Sequence, residues 1–247
     1  MKDRTILISG ANGQTGAYLA KHYLDRGARL ILLYHKRKDR IKTLVDNPYV
    51  KAIAADLCDA EVLAQLLIPV IKDMVPDTLI HTASVRSSDA KALPDTDMLI
   101  WEDVFRTNVM GFYNICKLVL PLMQESGFGR VVVMGSNVTQ SGLAKGSAYA
   151  AAKAAMVNMI KSLALENANK DIKLNAISPG PLQTVLEEDY QGEYLEFRKS
   201  YFKNYLENSK TGKLTPLSEI AQICDMLVSP NLQNLSGEEI LVEGMIR

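Results

Sequence analysis

Short apolar runs alternate along the chain with longer stretches whose apolar positions recur at helical spacing. The runs predict strands at Thr5–Ser9, Arg29–Tyr34, Val50–Ala55, Thr78–Thr82, Arg130–Gly135, Lys173–Ser178 and Glu239–Val242. Helices are predicted near 14–26, 59–74, 101–126, 148–168 and 216–229. Most strands are continuous Val, Ile and Leu runs, which is typical of a parallel sheet covered by helices on both faces. The pattern therefore predicts an α/β fold with three layers, built on a doubly wound, mostly parallel sheet of seven strands.

Nothing in the sequence divides this pattern into separate units. The chain has 247 residues and carries no repeat, low-complexity tract or Pro/Gly/Ser-rich linker, so we expect one domain over residues 1–247. The 28 basic and 28 acidic side chains cancel, which leaves no electrostatic reason to expect nucleic acid or a membrane surface as partner. No apolar run approaches the roughly 20 residues of a membrane span.

Cysteine and histidine are too scarce and scattered to indicate a metal site. Cys58, Cys116 and Cys224 form no pair at metal-binding spacing, and the chain has only three histidines. We expect reduced thiols, no bound metal and a cytoplasmic protein.

A different composition marks residues 182–214, which are acidic at first and then rich in tyrosine and phenylalanine. Two interpretations stay open for this stretch. It forms either a surface helix pair packed on the core or a mobile lid over a substrate pocket, at about 185–213. We favour the lid.

A glycine-rich turn follows the first strand and opens the first helix. Its glycines are spaced three and three apart, which allows a tight turn and close approach of the backbone to a pyrophosphate. The helix N-terminus offers free N–H groups to the phosphates. We expect a dinucleotide to contact Gly10, Asn12, Gly13, Gln14, Thr15 and Gly16. The alternative is a glycine-rich turn that binds nothing.

The end of the second strand bears on the choice of dinucleotide. An NAD-binding chain is expected to carry a carboxylate there for the ribose 2′-hydroxyl. This chain instead has His35, Lys36 and Arg37, with no acid before Asp39. The basic cluster suits a 2′-phosphate and favours NADP(H) over NAD(H), unless it is a solvated turn without a ligand.

Tyr149 and Lys153 stand four residues apart on a predicted helix and therefore project from one face. A tyrosine normally titrates near 10, and a neighbouring ammonium lowers that pKa toward a range useful for acid–base catalysis. Ser136 lies just beyond the fifth predicted strand, at the sheet edge where such folds bind ligands. Asn108 lies on the long helix that precedes this strand.

Together these motifs resemble the short-chain dehydrogenase/reductase family, in its compact single-domain branch with a Rossmann fold. The resemblance runs from the glycine loop through Asp56-Leu57 to the tail Ser236–Gly244. It also includes the four residues Asn108, Ser136, Tyr149 and Lys153 and the stretch from Asn175 to Gly180. Three features depart from the pattern: the glycine spacing, His81-Thr82-Ala83-Ser84 in place of Asn-Asn-Ala-Gly, and Glu243-Gly244 in place of Asp-Gly.

The resemblance implies a role for each matching residue. Tyr149 would exchange a proton with the carbonyl oxygen, and Ser136 would hydrogen-bond that oxygen. Lys153 would bind the nicotinamide ribose and lower the pKa of Tyr149, while Asn108 would anchor a water that relays protons from Lys153. The other expected cofactor contacts are Asp56, Leu57, Thr82, Ala83, Ser84, Pro179, Gly180, Leu182 and Thr184.

The sequence around Ser136 and Tyr149 is also similar to that of 3-oxoacyl-carrier-protein reductases. This similarity implies an NADPH-dependent reductase of 3-oxoacyl thioesters, of fatty-acid or polyketide type, on a carrier protein. A small sugar, steroid-like or other secondary alcohol or ketone stays open as the substrate. More distant alternatives are a catalytically silent NADP(H)-binding regulator and a nucleotide-sugar epimerase or dehydratase. Family members commonly pair through the alanine-rich helix 148–168 and the helix before it, which implies a homodimer or homotetramer.

Overall fold

A computed structural model of the chain describes residues 1–244, and its centre is one sheet of seven parallel strands. The strands are Thr5–Ser9 (β1), Arg29–Tyr34 (β2), Val50–Ala54 (β3), Thr78–His81 (β4), Phe128–Met134 (β5), Asp171–Pro179 (β6) and Glu239–Val242 (β7). They are ordered β3-β2-β1-β4-β5-β6-β7. This confirms the predicted α/β class and strand number, and every neighbouring pair is parallel.

Helices cover both faces of the sheet. They are Gln14–Leu24 (α1), Ala60–Asp73 (α2), Met98–Ser126 (α3), Val138–Ser141 (α4), Ser147–Glu166 (α5), Gly192–Asn208 (α6) and Leu217–Leu227 (α7). Two short 3₁₀ turns lie at Leu93–Asp95 and Leu186–Glu188. Residues of α2, α3 and α5 pack on one face and those of α1 and α7 on the other. Successive strand residues point to opposite faces, so Leu7 joins the first core and Ile6 and Ile8 the second.

The apolar periodicity indicated no helix at α4 or α6 and misplaced the start of α3, although a helix pair was one of the two interpretations of residues 182–214. Helix α3 begins at Met98 rather than near 101, because the Asp97 side chain caps it by accepting the Leu99 N–H. Helix α6 buries Tyr194, Arg198, Phe202 and Tyr205 on one face. A buried arginine interrupts what would otherwise be an apolar stripe, so the periodicity did not indicate a helix. None of the helices in residues 1–244 is long and apolar enough to cross a membrane.

The order of strands also fixes where a ligand can lie. From β1 the chain moves to β2 on one side, and after β3 it returns to β4 on the other side of β1. In such sheets the loops that leave the carboxyl ends of the two central strands diverge and open a crevice. The glycine loop leaves β1 at this edge, and Thr82 follows β4 there.

Candidate active site

The glycine loop packs directly against the backbone that follows β4. Gly10 has φ +69°, and a Cβ atom at this position would lie 2.5 Å from the backbone nitrogen of Ala83. Gly13 caps α1 without a side-chain acceptor, so the first N–H groups of the helix have no capping side chain. Gln14, Thr15 and Gly16, which supply those groups, line a cavity. The loop therefore has the form of an anion-binding turn.

Two adjoining cavities form a groove along this sheet edge, and they share Gly13, Thr82, Ser84 and Asp189. All the residues that the sequence predicted as cofactor contacts line the groove. The cavity that adjoins the end of β2 contains Gly10, Asn12, Gly13, His35, Lys36, Arg37, Asp56, Leu57, Thr82, Ala83 and Ser84. The other cavity contains Gln14, Thr15, Gly16, Tyr149, Lys153, Pro179, Gly180, Leu182 and Thr184. The topology thus brings residues from the whole chain to one continuous surface.

Arg40, which the sequence did not single out, fixes the loop that follows β2. Its backbone N–H donates to the Asn12 side-chain oxygen at 2.9 Å, and its Nη1 donates to the Asn12 carbonyl at 3.1 Å. Its Nη2 lies 2.8 Å from carboxylate oxygens of both Glu188 and Asp189. The basic residues His35, Lys36 and Arg37 remain exposed at the rim of the groove.

Residues 185–189, which we call the strap, cross the glycine loop. The Gln14 side-chain amide donates to the Val185 carbonyl and to Asp189, both at 2.8 Å, and its oxygen accepts the Val185 N–H at 2.8 Å. Asp189 lines both cavities, so the strap covers the middle of the groove. This places the acidic half of the predicted lid over the glycine loop, and α6 forms the aromatic half. Motion of the lid stays a prediction.

Tyr149 and Lys153 project from α5 into the end of the groove, where they are 2% and 1% exposed. The Lys153 ammonium donates to the Met134 carbonyl at 2.6 Å and lies 5.6 Å from the centre of the Tyr149 ring. The Ser136 hydroxyl, just beyond β5, lines the same cavity and lowers the pKa of the Tyr149 phenol. The three predicted side chains therefore meet in one place.

Electrostatics favour the ionised form of the Tyr149 phenol. Burial has the largest single effect and raises its pKa, but the positive charges of Arg86, Lys153 and Arg198, together with Ser136, outweigh burial. The pKa of Tyr149 is therefore lowered from its ordinary value of 10. Burial also lowers the pKa of Lys153. A tyrosine held in this way can act as both proton donor and proton acceptor nearer to neutral pH.

Asn108 is fully buried but does not line the groove. Its side-chain amide donates to the carbonyls of Val85 at 2.9 Å and Val104 at 2.7 Å, and its oxygen accepts the Ser84 hydroxyl at 2.9 Å. These bonds fix the backbone just before Arg86. The water relay to Lys153 stays a prediction.

Two further arginines reach the cavity beside Tyr149, and no sequence pattern indicated either of them. Arg86 comes from the loop after β4, and its guanidinium lies 4.2 Å from the centre of the Tyr149 ring. Arg198 comes from α6 and lines the same cavity. Arg86 and Arg198 are far apart in the sequence, so no local spacing pattern could predict that they lie in one cavity.

His81 lies beneath the site, at the end of β4, and its Nδ1 lies 2.7 Å from the Ser9 hydroxyl oxygen. Burial, with a smaller effect from Lys153, lowers the pKa of His81 to about 3, so the ring is neutral. Within residues 1–244 no group of three or more His, Cys, Asp or Glu side chains is arranged to hold a metal ion.

Known proteins with similar sequences and folds cover almost the whole chain. The model of a family described as enoyl-(acyl carrier protein) reductase matches residues 11–244. The 3-oxoacyl-[acyl-carrier-protein] reductase FabG of Buchnera aphidicola is 25% identical over 98% of this chain and 96% of its own length. Oxidoreductase UcpA of Escherichia coli K12 is 31% identical over 98% of this chain and 93% of its own. The crystal structure of levodione reductase superposes with a TM-score of 0.88 at 22% identity, covering 99% of this chain and 97% of that one.

Proposed function

We propose that this chain, which belongs to the short-chain dehydrogenase/reductase family, is an NADP(H)-dependent ketoreductase or secondary-alcohol dehydrogenase. Membership in the family makes it an oxidoreductase that acts on alcohol or ketone groups with a nicotinamide cofactor. One observation carries the proposal. The Tyr149 phenol, with its lowered pKa, lies beside Lys153 and Ser136 at the end of the groove that begins at the glycine loop.

The residues of the groove fit a phosphorylated dinucleotide. The close packing of Gly10 and the uncapped N-terminus of α1 form a cradle for a pyrophosphate. Lys36 and Arg37 would hold the 2′-phosphate at the rim, because Arg40 is already paired with acids of the strap. The preference for NADP(H) rests on this distribution of charge.

The cofactor, when bound, supplies or accepts the hydride, and the protein controls the oxygen of the substrate. In reduction, the Tyr149 phenol donates its proton to the carbonyl oxygen as that oxygen gains electron density. The Ser136 hydroxyl donates a hydrogen bond to the same oxygen and orients it. Lys153 holds positive charge 5.6 Å from the Tyr149 ring and stabilises the phenolate that remains. In oxidation Tyr149 takes the proton back.

Within the proposed activity, a 3-oxoacyl thioester on a carrier protein is one candidate substrate, and a small sugar, steroid-like or other secondary alcohol or ketone is the alternative. The thioester is supported by the name of the Buchnera relative and by the local sequence around Ser136 and Tyr149. The proposal also includes a cytoplasmic location and a homodimer or homotetramer. Tyr113 of α3 and Leu165 of α5 are exposed, at 43% and 79%, on the two helices through which assembly is expected.

The decisive experiment compares the wild-type protein with Tyr149→Phe, which removes one oxygen and leaves the ring. We expect oxidation of NADPH with small ketones and an acetoacetyl thioester to fall by about 10²–10⁴-fold, the usual contribution of a general acid. The affinity for NADPH should stay within about threefold, since the phenol is not the main cofactor contact. Tyr49→Phe, at a tyrosine that is 60% exposed, is the matched control.

Wild-type activity is measured with NADPH and NADH in parallel. We expect kcat/KM with NADPH to exceed kcat/KM with NADH by about tenfold or more. Turnover that survives in Tyr149→Phe would refute the assigned chemistry. Tight binding of NADPH without turnover of any carbonyl compound would instead favour a silent cofactor-binding protein. Equal use of NADH would refute the cofactor preference alone.

A further inference from the structure

The end of the cavity near Tyr149 holds two cationic side chains, Arg86 and Arg198, that no acid among residues 1–244 neutralises. Among residues 1–244 no carboxylate oxygen forms an ion pair with either guanidinium within the 4.0 Å limit. Asp189 lines the same cavity, but its two oxygens bind Arg40 and Gln14. The cavity therefore carries uncompensated positive charge beside Tyr149.

Arg198 is the more buried of the two and is only 4% exposed. Its Nε atom is buried without a hydrogen-bond partner in the described chain. Aromatic rings surround the guanidinium, with ring centres 5.5 Å away for Tyr190, 5.5 Å for Tyr201 and 5.0 Å for Phe202. Rings stabilise a cation only modestly and do not replace an anionic partner.

Arg130 shows what this chain does with an arginine that serves the fold. It is fully buried, at 0% exposure, yet it donates to the carbonyls of Gly129, Asp171 and Ser229 and pairs with the Asp171 carboxylate at 2.9 Å. Arg198 has no comparable set of partners. Because buried charges in proteins are normally paired, its missing partner is expected to be a ligand.

We propose that Arg86 and Arg198 form a carboxylate receptor and that the substrate is a small oxo acid or the corresponding hydroxy acid. This inference rests on the proposed function, because it places the substrate's carbonyl at Tyr149. The planar fork of an arginine matches a carboxylate with two parallel hydrogen bonds. Arg86 lies against Tyr149, which exchanges the proton with the substrate's carbonyl oxygen. The carboxylate and the carbonyl group of the substrate must therefore be separated by only a few bonds.

The lining of the cavity is consistent with such a substrate. The rings of Tyr190, Tyr201 and Phe202 offer apolar walls to a short carbon skeleton, while the arginines hold its charged end. A neutral ester or thioester would leave both cations without an anionic partner. A site built for a polar group strongly rejects an analogue that lacks it, often by 10⁴-fold or more.

Matched acid and ester pairs test the receptor. We would measure kcat/KM with NADPH for 2-oxobutanoate, 3-oxobutanoate and phenylpyruvate, each beside its methyl ester, and for an acetoacetyl thioester. For at least one pair we expect the wild-type protein to prefer the acid by about 10²-fold. In Arg198→Gln and Arg86→Gln that ratio of acid to ester should fall by about tenfold or more. Arg26→Gln, at an exposed arginine at the far end of α1, should keep the wild-type ratio.

Calorimetric titration of the protein loaded with NADP⁺, which cannot donate a hydride to these oxo compounds, gives an answer independent of turnover. Acids that bind about tenfold more tightly than their esters support the receptor, and equal or weaker binding of every acid overturns it. Reduction of esters or of the thioester with no preference for acids would overturn the receptor and leave the ketoreductase proposal intact. Absence of turnover with every compound would count against the proposed function, and titration would still decide the receptor.

Thermal stability separates a receptor from a structural role. Arg198→Met removes an unpaired buried cation and keeps its volume, so the melting temperature should be unchanged or higher. Arg130→Met removes a fully paired arginine and should lower it. If Arg198→Met lowered the melting temperature as much as Arg130→Met, Arg198 would be a structural residue and the receptor would be wrong.

Discussion

Replacement of Gly10 by alanine should damage both the fold and cofactor binding. The Cβ atom would lie 2.5 Å from the backbone nitrogen and 2.6 Å from the Cα of Ala83. Neither is the movable end of a side chain, so the loop must retreat by about 1 Å to restore an ordinary contact. The residue also has φ +69°, which alanine adopts only with strain.

The expected magnitude follows from these two effects. The left-handed conformation costs roughly 1–2 kcal/mol for a residue with a Cβ, and overpacking typically costs 1–3 kcal/mol more. Together they predict a loss of about 2–5 kcal/mol in the free energy of unfolding. For a chain of this size each kcal/mol lowers the melting temperature by about 2–4 °C, so the decrease should be at least about 4 °C. Displacement of the loop by about 1 Å should also weaken NADPH binding, because the backbone N–H groups of the loop would move away from the pyrophosphate.

Gly13→Ala is the matched control from the same loop. Gly13 has φ −68°, and its added Cβ would approach only the Gly10 carbonyl oxygen, at 3.3 Å. Its melting temperature should therefore fall by no more than about 2–4 °C, although a side chain there would still obstruct a pyrophosphate. Differential scanning calorimetry and titration with NADPH would measure both quantities. If Gly10→Ala melted within about 1 °C of wild type, or if Gly13→Ala were destabilised equally, the packing argument would be wrong.

Two more predictions concern the strap and the acid–base group. Arg40→Gln removes the ion pairs to Glu188 and Asp189, each worth roughly 0.2–1 kcal/mol. The rate of NADPH release, measured by stopped-flow displacement, should therefore rise by about 2–30-fold. An unchanged rate would mean that the strap does not restrain the cofactor. In reduction the Tyr149 phenol must be protonated, so kcat/KM for a neutral ketone should decline as pH rises through its lowered pKa. Because Arg86 lowers that pKa, Arg86→Met should shift the decline to higher pH, and a shift to lower pH or none would contradict this electrostatic assignment.

Local chemistry allowed much of the molecule to be predicted from the sequence. Buried parallel strands are continuous apolar runs, so all seven were found within a few residues of their observed bounds. Gly10 and the α1 N-terminus were recognisable because a tight turn needs a glycine at positive φ. The four-residue spacing of Tyr149 and Lys153 places them on one face of a helix wherever that helix lies. The groove contains every predicted cofactor contact, and the function of each contact stays a prediction.

Only the tertiary structure decided what surrounds Tyr149. Arg86 lies in the loop after β4 and Arg198 lies on α6, and no periodicity links the two positions. They line the same cavity only because α6 folds back over the edge of the sheet. The same is true of Arg40 and the strap, whose ion pairs join residues 148 and 149 positions apart. The sequence by itself determined the elements and the chemistry that short-range spacing can express. The pairing and burial of charges required the fold, because these depend on long-range contacts and on exclusion of water that no local pattern encodes.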